Sequence, residues 1–543
     1  MSAGYDVVVV GAGAAGSALA ARLSENPEVS VLLLEAGPVP DPGSPVDPET
    51  LDAGSLQGAM PHHRFNWAYP SQLTAERQWG VARGKVLGGS MAINGGYFVR
   101  AHPQDFAEWA GSSGEHVADS PWSYDRALPI LRSMETDLDH QDPLLHGADG
   151  PMLVRRPWKD HPDDGDCGPL DAAFVSSALA LGARWEPDKN AGEVPGVGPV
   201  PLNVSDGVRR HPGLQYVHPA RGRPNLEVRG ETQVLRVRIQ DGCAVGVDVA
   251  RCGPGGEFSG RETIDAGEVV LAAGAIATPK LLLLSGVGPG AHLREHALPV
   301  HADLPGVGRG VNDHPDVTLP LLAKQGLAPP ASVPFTAAWN VSPSSAGSGP
   351  ERSSSGAPEV DRGEVELLLT ARPNSALFGG SAAGEQARSY AMMVGLQRAD
   401  SRGSITLRTS DPVAPPRIDY NFLEAASDLH ALRGGLRRAL ALLQSAEFDA
   451  VLERPLWWAV LNDGADAVLE RWIRENLGIR FHTCGSAQMG PEGKEHAVTS
   501  PRGEVYGIRG LRVADLSLLP QAPSRGPANT AVFIGELIAA AMA

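Results

Sequence analysis

Residues 6–16 read DVVVVGAGAAG, and nineteen positions after Gly16 comes Glu35, near the close of the apolar run VSVLLLEAG. The order is a buried-type strand, a Gly11-x-Gly13-x-x-Gly16 turn, an Ala/Leu helix opening at Ala14 and Ala15, and a second strand ending at Glu35 and Ala36. The three glycines serve different ends. One makes a tight turn, one lets the backbone approach a pyrophosphate, and one lets helix and strand pack closely. The helix N-terminus faces the phosphates and the acid accepts hydrogen bonds from a ribose. This pattern predicts an adenine-dinucleotide site and leaves NAD and FAD both open. The competing reading is a glycine turn in an ordinary doubly wound sheet.

Composition bounds the rest. A chain of 543 residues that is 42% apolar supports two to four domain-sized units with a large buried core. It carries 46 Lys and Arg against 63 Asp and Glu, a net charge of −17, which argues against nucleic-acid binding and against a polybasic membrane patch. Cys167, Cys243, Cys252 and Cys484 form no C-x-x-C pair and fit reduced thiols, and no His/Cys spacing suits zinc, so no metal is expected. The first strand begins by about residue 5, leaving no room for a signal peptide, and no apolar run is long enough to span a membrane. A cytoplasmic enzyme is expected, with peripheral membrane association compatible.

Residues 38–60 are rich in Pro, Asp and Gly and predict a surface excursion; 341–360 is the lowest-complexity stretch and predicts a mobile loop. Strand-like alternation at 225–240 and 243–251 predicts a β-meander, and 364–408 is again β-rich. Helical periodicity runs through 428–444 and 465–476. A second strand–turn–helix lies at 267–286: GEVVLAA, the breaker Gly274, Thr278 as N-cap, Pro279 in the first helical position, and Ser285-Gly286 as the stop. Its distance from the first fingerprint implies a nucleotide domain assembled from separated segments.

At these motifs the chain resembles the glucose–methanol–choline (GMC) flavoprotein oxidoreductases. GKVLGGSMAIN at 84–94 and GAIATPKLLLLSGVG at 274–288 look like the family's two signatures. LPGVGRGVNDHP at 304–315, HTCGSAQMG at 482–490 and VADLSLLP at 513–520 follow in the family's order. The resemblance implies FAD as the dinucleotide and an α/β and α+β architecture: a Rossmann-like FAD-binding domain from discontinuous segments, plus a β-sheet substrate domain covered by helices. The expected segments are 1–160, 203–317 and 477–543 for FAD, the last with the catalytic His, and 161–202 and 318–476 for substrate.

Oxidising an alcohol requires a base for the hydroxyl proton and a hydride acceptor, here flavin N5. By resemblance the base is His482, in the HTCGSAQMG segment; the other reading is a structural His at the flavin edge. The second catalytic residue, just before the last helix, is expected to be Asn529 as a substrate-orienting amide, although the commonest alignment puts Ala528 there; Asn529 as a helix N-cap is the alternative. That helix N-terminus, including Thr530, would also stabilise negative charge on a reduced flavin. Cofactor contacts are expected from Arg83, Gly84, Leu87, Gly88, Gly89, Ser90, Asn94 and Gly95, where glycines admit a planar ring and Ser90 and Asn94 offer hydrogen bonds. Val234 would meet the adenine, Ala273 the second turn, and Asp515 the ribityl–pyrophosphate region, unless Asp515 is only a strand-end carboxylate. Trp67, in FNWAYP, is expected near the active site or in the core. Trp457-Trp458 is read as either cavity wall or packing. Met91 stands where the family usually has Ser or Thr, and Ile93 stands where some members carry the His that attaches flavin covalently, so non-covalent FAD is expected.

Three functions are compatible with this resemblance. One is an alcohol dehydrogenase acting on reduced mycofactocin, a peptide-derived redox cofactor. It would pass electrons to a quinone or respiratory acceptor rather than oxygen, and is suggested by the spans LLLEAGP, GGYFVRAHPQDFAEWA and EPDKNA. The others are a choline- or polyethylene-glycol-type alcohol dehydrogenase or oxidase, and a non-redox, hydroxynitrile-lyase-like flavoprotein. Any such enzyme takes a small-molecule alcohol-type substrate.

Overall fold

The strand Tyr5–Val10 is the axis on which the first half of the molecule is built. In this computed structural model, which describes all residues except 1–3, 160, 162–166, 254–257, 328–332, 342–362, 372–387, 456 and 463, it pairs in parallel with Val31–Leu34 on one side and Phe258–Leu271 on the other. Leu226–Arg229 and Leu511–Val513 extend the parallel part, and Cys243–Cys252 and Thr232–Gln240 continue it as the expected antiparallel meander. Strands covered on both faces need apolar side chains at every position, which is why VVVV and VLLL show no alternation. The helix Ala14–Leu23 packs on the helix Ala528–Met542, so segments from opposite ends of the sequence meet in one layer. A Cβ at Gly535 would lie 2.3 Å from the Ala15 carbonyl oxygen, so the helices approach this closely only with glycine there.

The second strand–turn–helix differs from its expectation. The helix is Gly274–Leu284, so it begins four residues before Thr278 and encloses Pro279. Pro279 cannot donate to the carbonyl four residues back, Ala275, and that oxygen instead accepts from Ser486 Oγ at 2.6 Å. Thr278 serves not as a cap but as a donor to Asp515 Oδ2, at 2.6 Å.

The second large sheet is antiparallel, ordered Leu452–Glu453, Pro315–Ala323, Ser389–Leu396, Val365–Ala371, Phe335–Val341 and Val197–Pro199, with Leu477–Ile479 also on Pro315–Ala323. Pro315–Ala323 starts three residues before the expected start of the segment at 318, and Leu477–Ile479 lies just beyond its expected end at 476. The helix Ala426–Leu443 covers one face; Gly435 permits this, since a Cβ there would meet Val365 Cγ1 at 2.5 Å. Strand alternation then sorts the side chains. Val365, Leu367 and Leu369 join the core under that helix, whereas Glu366 and Leu368 line the cavity on the other face. Trp457 packs with both Trp458 and Trp472, and the pair lies off the cavity. The 341–360 stretch falls, but for Val341, outside the described residues. No helix among the described residues is long and apolar enough to cross a membrane.

Candidate active site

The carboxyl ends of Tyr5–Val10, Val31–Leu34 and Phe258–Leu271 open onto a cavity of about 540 Å³ that continues to the inner face of the second sheet. Of the expected cofactor residues, Gly11, Gly13, Ala14, Ala15, Glu35, Ala36, Trp67, Arg83, Gly84, Gly89, Ser90, Asn94, Gly95, Val234, Ala273 and Asp515 all line it. Gly16, Leu87, Gly88 and Thr530 do not. Gly16 serves packing, since a Cβ there would strike the Gly11 carbonyl oxygen at 2.0 Å. Leu87 is core, and Gly88 adopts φ +92° with its α-carbon against the His211 ring.

Glu35 is wholly enclosed and does more than close a strand. Its Oε2 accepts from Ala12 N–H at 3.0 Å and its Oε1 from Gly37 N–H at 2.9 Å, clamping the glycine turn; burial pushes its pKa up to about 7. One lone pair on each oxygen is left for a ribose. Replacing Glu35 by Ala removes both roles, and the dissociation constant for FAD is expected to rise about 10–150-fold, the equivalent of roughly 1.5–3 kcal/mol. Titration of FAD into apoprotein measures this; wild-type affinity in the variant would refute the assignment.

Asp515 is held entirely by protein donors: Gly274 N–H and Thr278 Oγ1 on one oxygen, Ser517 N–H and Oγ on the other. It ties the strand Leu511–Val513 to the N-terminus of the helix Gly274–Leu284, which fixes the second turn.

At the other end lies His482, on a short segment fastened from three sides. Asp313 Oδ1 accepts from His482 N–H at 2.8 Å and from His314 N–H at 2.7 Å, and its Oδ2 accepts from Thr483 Oγ1 at 2.8 Å. Arg83 donates to the Phe481 carbonyl at 2.7 Å and to Thr483 Oγ1 at 2.6 Å. Between these anchors Phe481 adopts φ +62°, a left-handed conformation costly for a side chain with a Cβ. The imidazole Nδ1 of His482 lies 2.8 Å from Nδ1 of His314, so Nε2 is the nitrogen on the cavity side, near Gly526. Burial, reinforced by His314, Arg480 and Arg83, holds His482 well below the ordinary histidine pKa, so it is neutral at pH 7. Asp313, His314 and Arg480 receive no role from the sequence alone. The signal available is the NDHP within 304–315.

Asn529 is placed differently from expectation. Ala528 and Ala531, three residues apart on one helix face, line the cavity, and Asn529 is turned about 100° away. Its side chain is buried with neither polar atom partnered, as is Thr530 Oγ1. The helix N-cap position is Pro527, so Asn529 does not cap either.

These residues fit FAD. Gly13 has no atom within 4 Å of where a Cβ would stand, an open cradle at the N-terminus of the helix Ala14–Leu23. A Cβ at Gly84 would lie 2.1 Å from the Gly89 carbonyl carbon, so the ring-admitting turn closes only with glycine. The N-terminus of the helix Ala528–Met542, whose dipole favours negative charge, opens onto the cavity at Pro527 and Ala528. Met91 and Ile93 both line the cavity.

Models of the GMC oxidoreductase family match residues 5–316 and 399–535. The chain is 36% identical over 539 residues to an "uncharacterized GMC-type oxidoreductase in thcA 5'region" of Rhodococcus erythropolis, covering 98% of this chain and 97% of the relative. It is 33% identical to an "oxygen-dependent choline dehydrogenase" of Brucella suis biovar 1, covering 98% and 94%. Among solved structures, pyridoxine 4-oxidase from "Mesorbium loti" superposes with a TM-score of 0.85 at 26% identity over 99% of both chains. Formate oxidase does so with a TM-score of 0.84 at 26% identity over 99% of this chain and 97% of that one. The parallel sheet, the second sheet and the motifs between them have the family's order throughout, and the chain belongs to the GMC oxidoreductases, flavin-dependent enzymes acting on alcohols and similar substrates.

Proposed function

We propose that this protein binds FAD non-covalently and oxidises reduced mycofactocin as a dehydrogenase, passing the electrons to a quinone or another respiratory acceptor rather than to oxygen. The observation that carries the alcohol-oxidising part is the neutral, buried His482, anchored through Nδ1 and facing the cavity with Nε2. Bound FAD supplies the hydride acceptor. His482 Nε2 takes the substrate hydroxyl proton while the carbinol carbon gives up its hydride. For that role His482 must donate from Nδ1 to His314. His314 then carries its own proton on Nε2, which is buried without a hydrogen-bond partner, and accepts through Nδ1. Asp313 and Arg83 hold the His482 backbone during the transfer, and the first turn of the helix Ala528–Met542 stabilises the charge that accumulates.

Support for mycofactocin comes from the three spans that resemble the mycofactocin-associated members. A choline-type reading is supported by the named Brucella relative. Anaerobic addition of reduced mycofactocin, or of alcohols, to the holoenzyme is expected to bleach the flavin, and reoxidation with oxygen, quinones and dyes then ranks acceptors. A flavin unchanged by every alcohol would overturn the proposal and favour non-redox chemistry.

Ile93 offers no atom for a covalent link, and its side chain packs beside Gly58. Acid precipitation should therefore leave the yellow colour in the supernatant; colour in the pellet refutes non-covalent binding.

A further inference from the structure

We infer that the alcohol this site accepts is uncharged with an apolar or aromatic body, and that a quaternary-ammonium alcohol such as choline is rejected. The inference rests on the alcohol-oxidising reading above and specifies its substrate class.

Among the described residues, every charged side chain lining the cavity already has a partner. Glu35 accepts from Ala12 and Gly37, and Asp515 from Gly274, Thr278 and Ser517. Lys280 donates to the Pro412 carbonyl, and Arg83 to Phe481 and Thr483. At the substrate end stand Glu366 and Arg480, both buried. Arg480 Nη1 donates to Glu366 Oε2, and its Nη2 lies 3.2 Å from the carbonyls of Glu366 and Met393. The Tyr97 hydroxyl donates to the other carboxylate oxygen, Oε1, at 3.2 Å. Asp316 Oδ2 lies 3.9 Å from Arg480 Nε, so the guanidinium has a second carboxylate behind it.

Glu366, Arg480 and His482 line the same cavity, so the pair borders the space open to the body of an alcohol held at the base. An ammonium there would leave water beside a pair whose charges already cancel, with the nearest lining carboxylate committed to the guanidinium and not free to offset the loss. Drawing Glu366 away would leave Arg480 buried with only the longer Asp316 contact. An anionic substrate meets the converse problem, because Glu366 occupies the cation that would receive it. The tilted rings of Tyr97 and Phe335, 6.4 Å apart, attract a cation less strongly than its loss of hydration opposes it. A neutral body meets no such opposition and buries against Phe335, Leu368, Met393 and Tyr97. The Glu366–Arg480 pair thus acts as a charge filter, which sequence identity to choline dehydrogenases does not reveal.

Choline and 3,3-dimethylbutan-1-ol have nearly the same shape and differ by one positive charge. In anaerobic stopped-flow reduction of the holoenzyme, the neutral alcohol should exceed choline by at least about 100-fold in rate constant over apparent dissociation constant. If turnover of both is too slow, flavin absorbance titrations should still show tighter binding of the neutral alcohol, by at least about tenfold. Choline reducing or binding as well as its isostere overturns the inference and leaves alcohol oxidation standing. A flavin that responds to no alcohol, in rate or spectrum, overturns both. Arg480→Met frees Glu366 and should move the ratio toward choline by at least about tenfold. If that variant does not fold, Glu366→Gln leaves Arg480 with only the Asp316 contact at 3.9 Å and should instead raise reactivity with 4-hydroxybutanoate relative to the neutral alcohol. An unchanged ratio in the folded variant counts against the filter.

Discussion

Flavin-loaded His482→Ala enzyme is expected to reduce its flavin about 10²–10⁴-fold more slowly than wild type, the range for a lost general base, while retaining FAD. Retention follows from geometry: the glycine turn, Glu35 and Asp515 lie at the other end of the cavity and do not touch His482. The pH profile provides an independent check. A base must be unprotonated to act, and burial beside His314, Arg480 and Arg83 holds His482 well below the ordinary histidine value. Reduction in wild type should therefore stay level from about pH 6.5 upward, and fall only at acid pH, where the imidazole finally protonates. A wild-type rate in the variant would sink the mechanism; a fall centred near ordinary histidine pKa values would show that the base is more exposed than here. By contrast, Asn529→Ala should slow reduction less than about tenfold, because its amide does not line the cavity.

How much of this is legible in the sequence depends on how local the physics is. The first fingerprint is readable because its strand, turn, helix and acid act within thirty-odd residues, and the acid's clamp on Ala12 closes the same unit. The helix at Gly274 is expected five residues too late because Pro279 is a local breaker. The hydroxyl that compensates it belongs to Ser486, which no window around Pro279 contains. Asn529 is singled out by its chemistry, whereas the direction of a side chain on a helix is settled by packing against the helix Ala14–Leu23. The chain has sixteen histidines, and only the surrounding motif distinguishes His482. Its supports, Asp313 and His314, act across a separation of 168 or 169 positions, where periodicity and spacing carry no information.

Asp313 is where that long-range frame is most exposed to test. Its carboxylate accepts from two backbone N–H groups and a hydroxyl, and it is fully buried. Asp313→Ala strands both N–H donors, each at about 1–3 kcal/mol, so destabilisation on the order of 2–6 kcal/mol is expected, with His482 displaced and flavin reduction slowed. Asp313→Asn keeps Oδ1 for both N–H groups and turns a donor toward Thr483 Oγ1, whose hydrogen is free to rotate toward Tyr420 Oη, 2.7 Å away. That variant should lose less than about 1.5 kcal/mol and keep its reduction rate within about tenfold. The pH dependence separates the carboxylate from the frame. Burial pushes Asp313 up to about 6, above its unfolded value, so its ionisation costs stability as pH rises through 6, a cost the amide does not have. Any stability advantage of wild type over Asp313→Asn should therefore shrink between about pH 4 and 7, by on the order of 1–3 kcal/mol, and stay level above that. Denaturant midpoints on FAD-loaded protein measure both effects. An Asp313→Ala variant as stable as wild type, or a gap that widens with pH, would mean that the segment bearing His482 is held by something other than this carboxylate.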